Sequence, residues 1–245
     1  MNILITGSNG FVGSNLMWEL KKDGHTVCGI DISEHCEGEK HPETLIGDIR
    51  NLQDLNRISS IFGQKHNSQL ELIIHCAAAK NDFGISRREY YGHNKYGTKT
   101  LLNFAIQQDI KKLIYFSSVG VFGYPEGQAN EDAPYHPDSD YGASKLAGEL
   151  LCISWQQQNL ERELIVLRPA AIFGPHNYTN TYKLIDTLHR RPFLTVGEGK
   201  HIKTIVSIST VIDMTRFALQ KLAAGYQHYN CIDEPYLTLK ELMEL

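Results

Sequence analysis

The sequence predicts an α/β fold built on a doubly wound parallel sheet. Strand-like and helix-like segments alternate along the 245 residues with little interruption and without an internal repeat. The first apolar run, residues 3–5, passes through a glycine-rich turn directly into a helical pattern, as the first half of a βαβ unit does. A chain of this length can bury roughly 70% or more of its unfolded surface, so one large domain with a small appendage is expected.

The turn after the first strand contains three regularly spaced glycines. Gly7, Gly10 and Gly13 are spaced by three and precede a helix predicted over residues 11–22. Glycine lets the backbone approach a pyrophosphate closely, and the start of a helix offers free N–H groups and the positive end of its dipole. Asp31 ends the second apolar run, where a carboxylate can hydrogen-bond both hydroxyls of a ribose. This order predicts a Rossmann-type dinucleotide site.

The remaining elements follow in order along the chain. Strands are expected over residues 44–46, 72–75, 113–116 and 164–167, and helices over residues 52–62, 86–108 and 141–158. The second of these helices opens on Ser86-x-x-Glu89, which is a capping-box pattern. The Gly/Pro-rich segment 119–140 is long enough for a pocket wall. Beyond it the pattern predicts a helix over 182–190, a strand near 203–208, a helix over 211–223, a strand over 228–232 and a helix beginning at Leu239.

The domain organisation has two parts. We assign residues 1–175 to a dinucleotide-binding domain and residues 176–245 to a small substrate-binding region interleaved with it. Because the last predicted helix stops before two turns are complete, the second part is expected to be shortened. An open pocket would then bind cofactor measurably but substrate weakly, with low turnover.

Composition excludes several classes of function. The formal charge of -4 provides no basic stripe for nucleic acid, and no apolar run reaches the ~18 residues of a membrane span. The five cysteines contain no C-x-x-C pair and the eleven histidines no cluster at ligand spacing, so neither a disulfide framework nor a metal site is expected. The N-terminus lacks a secretory signal pattern. These features favour a cytoplasmic protein with no nucleic-acid or membrane partner.

Candidate catalytic residues follow the dinucleotide half. Tyr141 and Lys145 are four apart on a predicted helix and therefore share a face. An ammonium held near a phenol lowers the pKa of the phenol, which favours acid/base catalysis by Tyr141. Ser118 comes directly after a predicted strand upstream. A Tyr/Lys pair at this spacing is also typical of an ordinary surface contact, but its place after a dinucleotide half favours the catalytic interpretation.

Taken together, these motifs resemble the extended short-chain dehydrogenase/reductases, and among them the NAD-dependent epimerase/dehydratase family. The resemblance covers nearly the whole sequence. The matching motifs are T-G-x-x-G-F-x-G at 6–13, Asp31, Asp48-Ile49, H-x-A-A at 75–78, N-x-x-G-T at 94–98, S-S-x-x-V-F-G at 117–123, Y-x-x-x-K at 141–145, R-P at 168–169 and F-G-P at 173–175.

The resemblance implies NAD as cofactor and a role for each catalytic residue. Tyr141 would exchange a proton with a sugar hydroxyl or keto oxygen, and Ser118 would hydrogen-bond the same oxygen. Lys145 would hold the nicotinamide ribose, and Asn94 would keep the helix and a relay water in place. The residues expected at the cofactor are Gly7, Gly10, Phe11, Val12, Gly13, Asp31, Asp48, Ile49, Ala77, Ala78, Lys80, Asn94, Tyr141, Lys145 and Pro169, and those at the substrate are Ser118, Tyr141 and Lys203.

Departures from the family pattern leave more than one interpretation open. Family dehydratases carry Asp-Glu after the position of Ser118, where this chain has Val119-Gly120; Ala171 and Lys203 stand where nucleotide-sugar epimerases often carry Asn and Arg. The first interpretation is an NAD-dependent nucleotide-sugar epimerase that works through a transient keto sugar. The alternative is a net NAD(P)-dependent dehydrogenase or reductase of a nucleotide sugar or of another hydroxy or keto substrate, such as a sterol-like compound. The third is a non-catalytic dinucleotide sensor.

Assembly is expected from the same resemblance. The helices predicted over residues 90–108 and 141–158 resemble the pair through which the family commonly dimerises. A closed twofold dimer is also the commonest oligomer among soluble proteins. We therefore expect a homodimer.

Overall fold

The computed structural model describes residues 1–80, 84–125, 127–177, 182, 202–238 and 241. The strands within these residues are β1 (Asn2–Thr6), β2 (Thr26–Asp31), β3 (Thr44–Ile46), β4 (Leu72–His75), β5 (Lys112–Phe116), β6 (Glu163–Pro169), β7 (Ala171–Phe173), β8 (Ile202–Lys203), β9 (Ile205–Ser207), β10 (Gly225–Cys231) and β11 (Leu237–Thr238). Seven of them form one parallel sheet in the order β10-β6-β5-β4-β1-β2-β3. The short strands form two small pairs, β7 with β9 and β11 with β8.

Helices cover both faces of the sheet. In the described residues they are α1 (Phe11–Lys22), α2 (Leu52–His66), α3 (Arg87–Tyr91), α4 (Thr98–Gln107), α5 (Asp140–Gln157) and α6 (Ile208–Lys221). A π-helical turn (Gly92–Gly97) joins α3 to α4, and a short 3₁₀ turn (Val119–Val121) follows β5. This arrangement confirms the predicted α/β class with a doubly wound sheet.

Alternation along the buried strands divides the core into two clusters. In β1, Ile3 and Ile5 face the cluster that includes α1 and α6, whereas Leu4 faces the cluster that includes α2, α4 and α5. Successive side chains of a strand point to opposite faces, so a continuous apolar run buries both sides of the sheet. The sheet therefore forms a rigid platform with both faces covered, and its carboxyl edge is left for binding.

The order in which the chain adds strands to the sheet reverses between β1 and β4. β1 pairs with β2 on one side and with β4 on the other, so the connections after β1 and β4 leave the sheet toward opposite faces. In open α/β sheets ligands bind in the crevice outside the carboxyl ends of the strands at such a point. The glycine-rich turn after β1 lies there.

Most predicted elements are confirmed, and the differences are local. The helix expected over 52–62 continues to His66, and the one expected over 86–108 is divided by the π-helical turn. The strand expected over 203–208 is two short strands that pair with different partners, β8 with β11 and β9 with β7, and Ser207 ends β9 by capping α6. The helices expected over 182–190 and from Leu239 lie outside the described residues, apart from Tyr182 and Glu241. β10 belongs to the same sheet as β6, and the proposed boundary at residue 175 stays a prediction.

None of the helices in the described part of the chain has the length and apolar character needed to cross a membrane.

Candidate active site

The glycine turn brings its backbone close to the crevice at positions where a side chain would not fit. Gly7 has a φ of +70°, and a Cβ there would lie 2.7 Å from the Ala77 backbone nitrogen. A Cβ at Gly13 would overlap the Gly7 carbonyl, to which Gly10 donates its N–H at 3.0 Å. Gly10 precedes α1 and has no side chain to cap it. The first N–H groups of α1 therefore have no capping side chain from Gly10 and are suited to a carboxylate or another anion.

Two carboxylates lie along the adjoining strand ends. Asp31 accepts hydrogen bonds from the backbone N–H groups of Asn9 (2.9 Å) and Ser33 (2.9 Å), which hold it beside the glycine turn. Asp48 pairs with Arg50 at 2.6 Å, and this arginine holds the pKa of Asp48 below its usual value against the opposing effect of burial. These contacts fix both carboxylates at the edge of the sheet.

A single large cleft, with a volume of about 3230 Å³, collects most of the predicted site residues. Those that line it are Gly7, Gly10, Phe11, Val12, Gly13, Asp31, Asp48, Ile49, Ala77, Ala78, Lys80, Ser118, Tyr141 and Pro169. Asn94 and Lys145 are almost completely buried, 1% and 2% exposed, and are not among the lining residues of the described chain. Lys203 lies in β8, and its side chain is outside the described part of the structure.

Tyr141 and Ser118 meet in this cleft. Tyr141 lies in the first turn of α5, and Ser118 precedes the 3₁₀ turn, whose Gly120 N–H it accepts at 3.1 Å. Burial raises the pKa of Tyr141, and a hydrogen bond with the Ser118 side chain opposes the rise. The net shift is upward, so the expectation that Lys145 lowers the pKa of this phenol is wrong for the structure described.

Lys145 lies deeper than the sequence suggested. Its Nζ is 4.6 Å from the centroid of the Tyr115 ring, a cation–π contact in the core beneath α5. Burial is the main cause that lowers the pKa of Lys145 to about 8. Because desolvation disfavours the charged form of either group, it moves the pKa of the lysine down and that of the tyrosine up. The two shifts therefore separate the pKa values of the phenol and the amine, with the amine the more acidic of the two.

Asn94 joins the loop after β4 to α5. Its Oδ1 accepts from the Ala79 N–H at 2.8 Å, and its Nδ2 donates to the Ala79 carbonyl at 3.1 Å and to Ser144 Oγ at 2.8 Å. Ser144 in turn donates to the Tyr141 carbonyl at 2.7 Å. The amide side chain thus fixes the first turn of α5, and with it the position of Tyr141.

A buried chain of hydrogen bonds that sequence reasoning missed runs beneath the same loop. Thr6 Oγ1 lies 2.7 Å from His75 Nδ1, and His75 Nε2 lies 2.9 Å from Thr98 Oγ1. Thr98 donates its own proton to the Asn94 carbonyl, so it accepts from Nε2 and fixes that tautomer. Burial lowers the pKa of His75 to about 3, so the ring is neutral. Thr6 also accepts the Ala77 N–H at 3.2 Å and so orients the cleft wall.

Glu37 is a second group that sequence reasoning missed. Its Oε2 accepts the backbone N–H of Phe11 at 3.1 Å, and its other oxygen forms an ion pair with Lys80. Its own N–H donates to the Asn9 carbonyl at 2.8 Å. Glu37 lies in a polar loop between β2 and β3, where neither periodicity nor motif spacing distinguishes it from the neighbouring acidic residues.

α5 is anchored to the sheet by a buried ion pair. Arg168 Nη2 and Glu149 Oε1 are 2.6 Å apart, and both side chains are fully buried. Tyr135 donates to Glu149 at 2.8 Å, and Arg168 donates to the Glu131 carbonyl at 2.8 Å. A buried pair with its remaining groups satisfied fixes one geometry, so α5 has little freedom to shift relative to β6. No group of His, Cys, Asp and Glu in the described residues could hold a metal ion.

Curated relatives of this chain are sugar epimerases and dehydratases. One, from Escherichia coli O157:H7, is an N-acetyl-alpha-D-glucosaminyl-diphospho-ditrans,octacis-undecaprenol 4-epimerase, 30% identical over 246 residues, which cover 99% of this chain and 70% of the relative. Another is an uncharacterized UDP-glucose epimerase of Bacillus subtilis (strain 168), 28% identical over 226 residues, which cover 86% of this chain and 70% of the relative.

Solved structures and a family model agree with these relatives. The UDP-glucuronic acid 4-epimerase of Bacillus cereus, solved in complex with NAD, is 26% identical and superposes with a TM-score of 0.82 over 99% of this chain and 80% of the other. The model of the NAD dependent epimerase/dehydratase family matches residues 3–231. NAD as the predicted cofactor agrees with this family. The protein is therefore an enzyme of the NAD dependent epimerase/dehydratase family.

Proposed function

We propose that this protein is an NAD-dependent epimerase of a nucleotide sugar, with Tyr141 as the acid/base. The observation that carries the proposal is the Ser118–Tyr141 pair, which lies in the same cleft as the glycine turn. Relatives and structural neighbours named as sugar epimerases support the substrate class. The alternative of a non-catalytic sensor is disfavoured, because the acid/base pair and its supporting contacts are all present.

The residues present fit NAD at the carboxyl edge of the sheet. The turn at Gly7, Gly10 and Gly13 leaves no room for a Cβ where a pyrophosphate would approach, and α1 offers N–H groups to it. Asp31 would hold the adenosine ribose, and Asp48 with Ile49 would border the adenine. When bound, NAD supplies the acceptor and then the donor of a hydride.

The chain's own groups would then manage the proton and the substrate oxygen. Tyr141 removes the hydroxyl proton as the sugar carbon is oxidised and returns it when the keto sugar is reduced on its other face. Ser118 hydrogen-bonds the phenol and orients the same oxygen. Lys145, whose pKa is lowered to about 8, is mainly protonated at pH 7 and would hold the nicotinamide ribose. Asn94 holds Tyr141 in place through Ser144.

The substitution Tyr141→Phe tests the acid/base assignment. We expect the fold and NAD affinity to be kept, while turnover falls by roughly 10² to 10⁴ because general acid/base catalysis is removed. Turnover is measured with UDP-, GDP-, dTDP- and CDP-sugars by separating the two epimers. An epimerase produces no net change in absorbance at 340 nm, whereas a net dehydrogenase changes it in proportion to product. Near-full turnover of the Tyr141→Phe variant would exclude the mechanism.

A sugar carried on a polyprenyl diphosphate is the second candidate substrate. It is favoured by the Escherichia coli relative, whose name specifies an undecaprenol-linked sugar and whose match extends over 99% of this chain. Ala171, which stands where nucleotide-sugar epimerases often carry Asn, agrees with a different carrier. The same epimer assay with a polyprenyl diphosphate sugar distinguishes the two carriers.

A further inference from the structure

The β2–β3 loop places a carboxylate where the cofactor phosphates are expected. Glu37 Oε2 accepts the N–H of Phe11, the first residue of α1, at 3.1 Å. Main-chain bonding fixes the loop there, since the Glu37 N–H donates to the Asn9 carbonyl at 2.8 Å. A carboxylate on the first N–H of a helix is a charge-assisted contact of the same kind that a phosphate oxygen would make.

Lys80, which follows β4, contacts the same carboxylate. Its Nζ forms an ion pair with Glu37 Oε1, and both side chains are partly exposed to the cleft, 44% for Lys80 and 31% for Glu37. The sequence resemblance assigns Lys80 to the cofactor. The Glu37 carboxylate thus contacts both Lys80 and the N-terminus of α1, the two positive groups that are expected to face the cofactor.

We propose that Glu37 is an internal competitor of the NAD pyrophosphate. The Glu37 carboxylate holds the Phe11 N–H and Lys80 in the NAD-free protein and leaves both when the dinucleotide binds. The free energy needed to break these contacts lowers the affinity for NAD and for any ligand that places a diphosphate on the glycine turn. The proposal rests on the NAD site of the proposed function and is independent of the sugar substrate.

Calorimetric titration of the full chain with NAD tests the competition. We expect Glu37→Gln, which keeps the shape and removes the charge, to lower the dissociation constant for NAD on the order of tenfold, since contacts of a charged group with hydrogen-bond partners contribute at this level. Glu37→Ala is expected to act in the same direction. Glu34→Gln is the matched control, because it removes an equal charge from an exposed position of the same loop and is expected to leave the affinity unchanged.

Fragments of the cofactor separate an effect at the diphosphate from damage to the loop, while Glu34→Gln controls for the loss of one negative charge. ADP, which carries a diphosphate, is expected to gain affinity in Glu37→Gln as NAD does, whereas adenosine, which carries none, is expected to bind all proteins equally. Equal NAD affinity in the wild-type protein and both Glu37 variants would overturn the competition while the NAD site stands. An equal gain for adenosine would also overturn it. Absence of NAD binding in every protein would overturn the cofactor site and the competition together.

Discussion

At the residue scale, burial changes the pKa values that the helical spacing of Tyr141 and Lys145 led us to expect. Tyr141 and Lys145 are four apart on α5, as the sequence indicates, but desolvation raises the pKa of the phenol and lowers that of the amine to about 8. The spacing predicts proximity along a helix and gives no information about the depth of either group. The raised pKa keeps Tyr141 protonated at pH 7, the form that donates a proton to a keto oxygen; the oxidation half of the proposed reaction requires that the phenol first release this proton to solvent.

Cofactor preference is also decided by one residue. Asp31 lies where the 2′-phosphate of NADP would meet a carboxylate, and residues 32–34 offer no cation. We expect the unmodified protein to bind NAD(H) more tightly than NADP(H), and Asp31→Asn to narrow the difference because the repulsion is removed. Calorimetric titration of both proteins with both dinucleotides measures this. Equal or tighter NADP binding by the unmodified protein would refute it.

At the element scale, the sequence is informative where a regular pattern specifies the backbone. The glycine turn, the strand of residues 44–46 and the capping box at Ser86 and Glu89 were predicted and are confirmed. The π-helical turn was not predicted, because residue spacing does not reveal a local change of the backbone hydrogen bonds to the i→i+5 pattern. It carries Asn94, whose contacts join two segments distant in sequence.

Two side-chain contacts that support the site were also not predicted from the sequence. The Glu37–Phe11 contact depends on the path of an irregular loop, and the Glu149–Arg168 pair joins a helix to a strand across the core. Neither follows from local propensity, since both are set by tertiary packing. The sequence therefore predicted residues of which most line one cleft, but it did not predict the partners that hold their side chains.

The glycine turn permits a matched test of close packing against backbone strain. Gly7 and Gly24 both have positive φ, +70° and +86°, but a Cβ at Gly24 would meet nothing within 4 Å, whereas one at Gly7 would meet the Ala77 backbone. We expect Gly24→Ala to cost about 1 kcal/mol from strain alone. Gly7→Ala should cost roughly 2 kcal/mol more from overpacking and should abolish NAD binding. Urea unfolding and calorimetry measure both, and equal costs would contradict the argument.

At the scale of the whole molecule, assembly is the main prediction. α4 packs on α5, and these helices expose Ile106 and Leu150, 47% and 48% accessible, on the pair expected to form a dimer. We expect a homodimer at micromolar concentration, because burial of such side chains favours association. Leu150→Glu should dissociate it, while Leu160→Glu, at a more exposed position beyond α5, should not. Light scattering gives the mass, and a monomer for the unmodified protein would contradict the prediction.

The strand order has a consequence for folding during synthesis. β1 to β5 are contiguous in the sheet and are complete once Phe116 has emerged, whereas β6 and β10 add the other edge later. The glycine turn, Asp31 and Asp48 therefore emerge before the segment with Ser118 and Tyr141 does. α1 shares a buried core cluster with β6 and α6, so this face of the sheet is covered only after the later elements have emerged. A ligand that binds a folded state stabilises it by mass action, so NAD would stabilise the sheet once these elements are in place.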